Sequence, residues 1–130
     1  MKLDAVLSPW SDHAYNVLRI VSGLLFLAHG TMKLFGFPAG GHANVPLVSL
    51  LGLAGIIEVV GGALIALGSG TVMRIAAFIA SGEMAFAYWI TYAPLNPYPV
   101  INKGDPAILY CFLFLYFAVA GAPGWKRPQA

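Results

Sequence analysis

Apolar residues run through this chain in four long stretches, each closed by a short polar or glycine- and proline-bearing break. The stretches cover about 15–36, 46–68, 72–93 and 106–122. Each approaches the roughly 20 residues that an α-helix needs to cross about 30 Å of hydrocarbon. The pattern predicts an all-α fold, a transmembrane four-helix bundle spanning 15–122. Residues 1–14 mix Lys2, Asp4, Pro9, Asp12 and His13 with apolar positions and read as an interfacial lead-in. Residues 123–130 read as a tail.

The breaks have their own signals. Residues 37–45 (FPAGGHANV) and 68–71 (GSGT) are turn-like, and 94–105 (PLNPYPVINKGD) carries three prolines and a glycine. Pro46 suits the first turn of the second helix. Asp105 followed by Pro106 reads as an N-cap and a first helical residue.

Composition agrees with burial in lipid. Of 130 residues, 59% are hydrophobic and 9% charged. Soluble domains carry about 25% charged residues, and one this small could not hide so much apolar surface from water. The formal charge of +2 leaves no nucleic-acid footprint. The single cysteine, Cys111, excludes an internal disulfide and any Cys-x-x-Cys pair. The first apolar run begins near Tyr15 with no short core and small-residue cleavage site, so it is read as a retained helix.

Four crossings place both termini on one side. Lys2, Arg19, Arg74, Lys126 and Arg127 fall at that side, Lys33 and Lys103 at the other. The positive-inside rule then predicts cytoplasmic termini. Trp10, Tyr15, Trp89, Tyr92, Tyr98 and Trp125 fall near span ends, as interfacial anchors do.

The charges inside the apolar runs carry the chemistry. A charged side chain at mid-bilayer costs roughly 2.5–3.5 kcal/mol on insertion scales, so it pairs, neutralises or faces a cavity. Glu58 and Glu83 sit near the centres of the second and third spans. Each lies on a stripe of small residues: Gly55, Gly62 and Ala66 for Glu58, and Ala76, Ala80 and Ala87 for Glu83. Such stripes let helices approach closely, which predicts that both carboxyls face the interior. The first span adds Arg19, His29 and Lys33.

Two readings of these charges stand side by side. They are structural pairs that lock helix packing, or they mark a ligand, proton or ion path. Lys33 alone reads as a snorkelling end residue, Arg74 as interfacial, Asp105 as a cap and Cys111 as packing. His29 is either a proton-active donor or a satisfied core histidine. The run Phe112, Phe114, Tyr116 and Phe117 either lines a pocket or faces lipid. One histidine within a span disfavours a two-histidine haem, and no metal-ligand or flavin motif is present.

Arg19, the segment LAHGTMKLFGF (27–37), the segment GIIEVVGGALIALG (55–68), Glu83-Met84-Ala85 and NKGDPAILY (102–110) follow one another in order and spacing. Together they resemble the DoxX family of small four-helix bacterial membrane proteins over about residues 15–125. The chain departs where Asp105 stands in place of a frequent glutamate, and in its tail GAPGWKRPQA. The resemblance implies the bacterial cytoplasmic membrane. It also implies a place beside redox subunits that pass electrons to quinone, as the small subunit of thiosulfate:quinone oxidoreductase does. By matching position it implies Arg19, His29, Lys33, Glu58 and Glu83 as the functional set.

The expectation is therefore a quinone-linked redox component, a subunit of a larger oxidoreductase, with Glu58, Glu83 and His29 as the proton-active groups. Arg19, Lys33, Tyr88 and Trp89 are the expected substrate-side contacts, with Arg19 holding one glutamate ionised. The expected partners are lipid, other membrane or peripheral redox subunits, and a second copy of the chain. Two alternatives remain: an accessory or scaffold subunit whose charges only fix packing, and a proton-coupled transporter or channel.

Overall fold

The computed structural model describes residues 2–124. Among them there is no strand. The chain runs through α1 (Lys2–Leu7), a 3-10 turn (Ser8–Trp10), α2 (Ser11–Phe35), α3 (Leu50–Leu67) and α4 (Gly70–Ala87). A π-helical turn (Tyr88–Tyr92), α5 (Pro99–Asn102) and α6 (Asp105–Ala120) complete it. The lead-in is thus helical, and Pro9 falls in the turn between α1 and α2. Of the expected tail 123–130, residues 125–130, with Trp125, Lys126 and Arg127, lie outside the described residues.

Several boundaries differ from the sequence expectation for local reasons. The second helix begins at Leu50 and not at Pro46. Ser49 caps it, its hydroxyl accepting from the Gly52 amide at 3.0 Å, while Pro46 lies in the preceding turn. The side-chain cap satisfies an otherwise orphan amide, which Pro46 cannot do. At α6 the N-cap is Gly104, so Asp105 is the first helical residue and not the cap. The third helix continues past Ala87 by five residues in π geometry, the Ala93 amide bonding the Tyr88 carbonyl at 2.9 Å.

α3 lies against α2 at backbone distance because glycines face each other. Gly23 and Gly30 of α2 abut the backbone of Gly62–Ala66 and Gly55–Val59, and Gly62 abuts that of Gly23–Leu27. α4 packs on α3 and on α6 through Ala76, Ala77 and Ala80, all buried. Ser81 donates to the Cys111 carbonyl across the α4–α6 interface at 2.7 Å. Aromatic edges close the ring between α2 and α6: Phe26 against Phe114 at 4.8 Å and Tyr15 against Phe117 at 5.3 Å.

The two chain ends meet at one end of the bundle, where Asn16 donates to the Pro123 carbonyl at 3.0 Å. At that end two arginines close helix C-termini. Arg19 donates to the Ile65 and Gly68 carbonyls and to Asn16 Oδ1. Arg74 donates to the carbonyls of Ala118, Val119 and Ala120. A guanidinium there supplies donors to orphan carbonyls and complements the helix dipole.

Polarity is distributed inside-out. Asn16, Arg19, Ser22, Glu58, Ser81 and Asn102 are buried, while leucines, valines and phenylalanines from every long helix are exposed. A water-soluble fold avoids an apolar surface of this extent, and in lipid the backbone groups are satisfied within helices. Lys2–Phe35 and Leu50–Leu67 are long and apolar enough to cross a membrane, and Asp105–Ala120 is a shorter apolar helix.

Candidate functional site

Lys33 lies two residues before the C-terminus of α2, and Glu58 lies in the middle of α3. The close α2–α3 contact brings them together. Lys33 Nζ meets Glu58 Oε1 at 2.5 Å, with the glutamate side chain 2% exposed and the lysine 16%. The sequence reading of Lys33 as a snorkelling end residue is corrected here. So is the expectation that Arg19 holds a glutamate ionised: Arg19 is committed to the end of α3 and to Asn16. Lys33, and not Arg19, bonds Glu58, because α2 turns its face to Glu58 three residues beyond Gly30, where the backbones nearly touch.

Glu83 stands on α4 and lines the same cavity as Glu58 and Lys33. One carboxyl oxygen of each acid, Glu58 Oε2 and Glu83 Oε2, is buried and has no hydrogen-bond partner among the described residues. Unpaired buried polar atoms are rare, because each forfeits its hydration without a replacement bond. Both acids line a cavity of about 570 Å³ in the half of the bundle away from the termini.

His29 and Lys33 of α2 also line the cavity, as do Tyr92 of the π turn, Tyr110 of α6 and His42 of the α2–α3 connection. His29 Nδ1 bonds the Leu25 carbonyl at 2.9 Å, which leaves Nε2 for another partner. Its ring meets Tyr110 edge-on at 6.4 Å. The remaining lining is mostly apolar. It includes Leu53, Ile79 and Phe86, which are also exposed on the outside, so the cavity reaches the bundle surface between α3 and α4.

The structure thus gathers His29, Lys33, Glu58 and Glu83 of the predicted set and leaves three members elsewhere. Arg19 is at the opposite end of α2. Trp89 is 70% exposed and does not line the cavity. Tyr88 packs beneath the 93–104 segment, where its hydroxyl accepts from Asn102 at 3.3 Å. Regular helix geometry accounts for the last two, since at about 100° per residue Tyr88 and Trp89 lie about 140° and about 240° around the helix from Glu83, whereas Tyr92 at the end of the π turn lines the cavity.

Sequence reasoning missed Asn102, Tyr110, Tyr92 and His42. Asn102 is buried and holds the proline-rich segment. It donates to the Asn96 carbonyl at 2.9 Å and accepts from the Gly104 amide at 2.7 Å. Its signal was the Asn102-Lys103-Gly104 triplet: Lys103 is left-handed, with φ +65°, and any side chain at Gly104 would strike the Tyr88 ring. Tyr110 stands one turn beyond Pro106 and Ala107, both in the lining.

Comparison with known proteins agrees with this geometry. The defining pattern of DoxX matches residues 14–93. The chain belongs to the DoxX family. A Haemophilus influenzae relative, described as an uncharacterized protein, is 45% identical over 111 residues, which are 81% of this chain and 81% of that protein. No solved structure matches. This DoxX protein is accordingly a membrane protein. The matched region holds all four gathered residues, while Tyr110 and Asn102 lie beyond it.

Proposed function

We propose that this DoxX protein is a quinone-linked redox component of the bacterial cytoplasmic membrane, a subunit of a larger oxidoreductase. In this reading α2, α3, α4 with its π turn, and α6 each cross the bilayer, and both termini are cytoplasmic. The inside-out polarity supports the first point. The placement of Arg19 and Arg74 at the terminal end supports the second.

One observation carries the functional reading: two buried carboxyl oxygens without partners line a mostly apolar cavity that opens sideways between α3 and α4. About 570 Å³ falls within the range of sites for ring-sized ligands. A lipid-soluble ring reaches such a site from the bilayer without crossing water. Its carbonyl oxygens require donors, and they require protons on reduction. A carboxylic acid or an imidazole provides both when placed within hydrogen-bond reach.

In this arrangement Lys33 keeps Glu58 ionised and oriented. Glu83, which has no such cation bonded to it, is the proton-carrying acid. His29 offers Nε2, and Tyr110 bounds the ring on the α6 side. Bound quinone supplies the two-electron couple. The electrons come from a redox centre on a partner subunit, since this sequence carries no haem, flavin or iron–sulfur motif.

The test is binding of short-chain benzoquinone and naphthoquinone analogues to the purified protein in nanodiscs, read by quenching of tryptophan fluorescence. Saturable binding is expected for wild type. Replacing Glu83 by Leu should weaken it by up to about tenfold, the scale of a lost neutral hydrogen bond. Failure of both quinone classes to bind, or wild-type affinity in Glu83→Leu and Glu58→Leu alike, would leave the accessory-subunit reading in its place.

A further inference from the structure

The cavity that holds Glu58 and Glu83 is built to one side of the bundle. Its floor is Phe26 and Met84, and its polar rim is Lys33, His42, Thr91 and Tyr92. All four rim residues lie at the end that carries the 36–49 and 93–104 connections, opposite the chain termini.

Below the floor the packing is dry. Ile65, Met73, Ala77, Phe114 and Phe117 are all 0% exposed and form one continuous cluster with Phe26. A second hollow of about 230 Å³ exists at the terminal end, between Ser11, Tyr15, Tyr116 and Pro123. It shares no lining residue with the first. Arg19 and Arg74, the cations of that end, are spent on helix-end carbonyls.

We infer that the carboxyls of this cavity exchange protons with water only at the end formed by the 36–49 and 93–104 connections, and never with the terminal side. The polar chain runs one way. Glu58 is bonded to Lys33, Lys33 is partly exposed at the end of α2, and His42 and Thr91 border the same opening. The groups facing the two acids are His29 and Lys33 from α2, Tyr92 from the π turn, Tyr110 from α6 and His42 from the connection. On the terminal side the acids meet the apolar cluster, and the polar groups set into it, Ser22, Ser81 and Cys111, bond helix carbonyls or each other and do not line the cavity.

This goes beyond the quinone reading, since it concerns any proton the site takes or gives. It rests only on the bundle spanning the membrane. Single-cysteine variants in a Cys111→Ala background test it, using membranes of both orientations and a charged, impermeant thiol reagent. Gly40→Cys marks the side of the connections and Thr71→Cys the terminal side. Thr91→Cys and Ala87→Cys, both lining the cavity, should label from the Gly40 side alone. Should Ala87→Cys not fold, Ile90→Cys replaces it.

A second readout follows the acid itself. Dicyclohexylcarbodiimide enters from lipid and modifies only a protonated carboxyl, so its mass increment on Glu83 reports protonation, with Glu83→Gln as the blank. In vesicles holding different pH inside and out, the modification should follow pH on the connection side and ignore the other. Labelling from the terminal side, modification that follows terminal-side pH, or no modification of Glu83 at any pH would each overturn the inference. Neither assay contains quinone, so a failed quinone titration leaves this result standing, and the reverse.

Discussion

Replacing Gly30 by Ala places a methyl group where α2 and α3 nearly touch. Its Cβ would sit 2.7 Å from both the Gly55 carbonyl oxygen and the Val59 amide nitrogen, and 2.8 Å from Glu58 Cβ. The first two are backbone atoms of successive turns of α3, so no side chain can swing aside. Relief requires the helices to part by roughly 0.8–1.3 Å, the shortfall from ordinary contact at about 3.5–4.0 Å. Overpacking of this kind costs about 1–3 kcal/mol. The same movement stretches the Lys33–Glu58 contact three residues away. Gly82 is the internal control, because a Cβ there meets nothing within 4 Å. Gly82→Ala should be neutral or stabilising by up to about 1 kcal/mol from helix propensity. Thermal unfolding in a mild detergent, followed by circular dichroism, should lower Tm by roughly 3–12 °C for Gly30→Ala and leave Gly82→Ala at or above wild type. Equal Tm values for the two variants would refute the argument that α2–α3 contact at Gly30 sets the position of Glu58.

Lys33→Met alone should destabilise by about 3–5 kcal/mol by leaving the Glu58 carboxyl buried and unpaired, whereas Lys33→Met with Glu58→Met should recover most of it; unfolding of wild type and the two variants in detergent checks this. Arg19→Gln should lower stability by about 1.5–3 kcal/mol through lost bonds to the α3 carbonyls, while quinone-analogue affinity in nanodiscs stays at the wild-type value. Asn102→Ala should release the proline-rich segment, since the Gly104 amide and the Asn96 carbonyl lose their partner. Amide hydrogen exchange over 93–104 should accelerate severalfold, with exchange in α3 unchanged.

The helical class, the place of both acids within long helices and the small-residue stripes beside them were legible in the chain, because each depends on period and length alone. Gly55, Gly62 and Ala66 do bury against α2, and Ala76 and Ala80 lie in the core. The polar partners were not legible. Arg19 and Lys33 share a face of α2, and spacing along one helix does not say which of them meets an acid on another. That choice depends on how α3 crosses α2, which is set by where Gly23 and Gly30 meet Gly55 and Gly62. The crossing puts Lys33 on Glu58 and leaves Arg19 at the end of α3, where the open carbonyls of Ile65 and Gly68 attract it. Tyr88 and Trp89 were misjudged for a different reason: ordinary helical spacing already turns them about 140° and about 240° from Glu83, toward the 93–104 segment and the outer surface. Sequence alone therefore determined which polar residues lie inside long apolar helices and that they need partners. Tertiary structure decided which partners they have, because hydrogen bonds and ion pairs are short-ranged and depend on rotations and crossings that the periodicity of one helix does not contain.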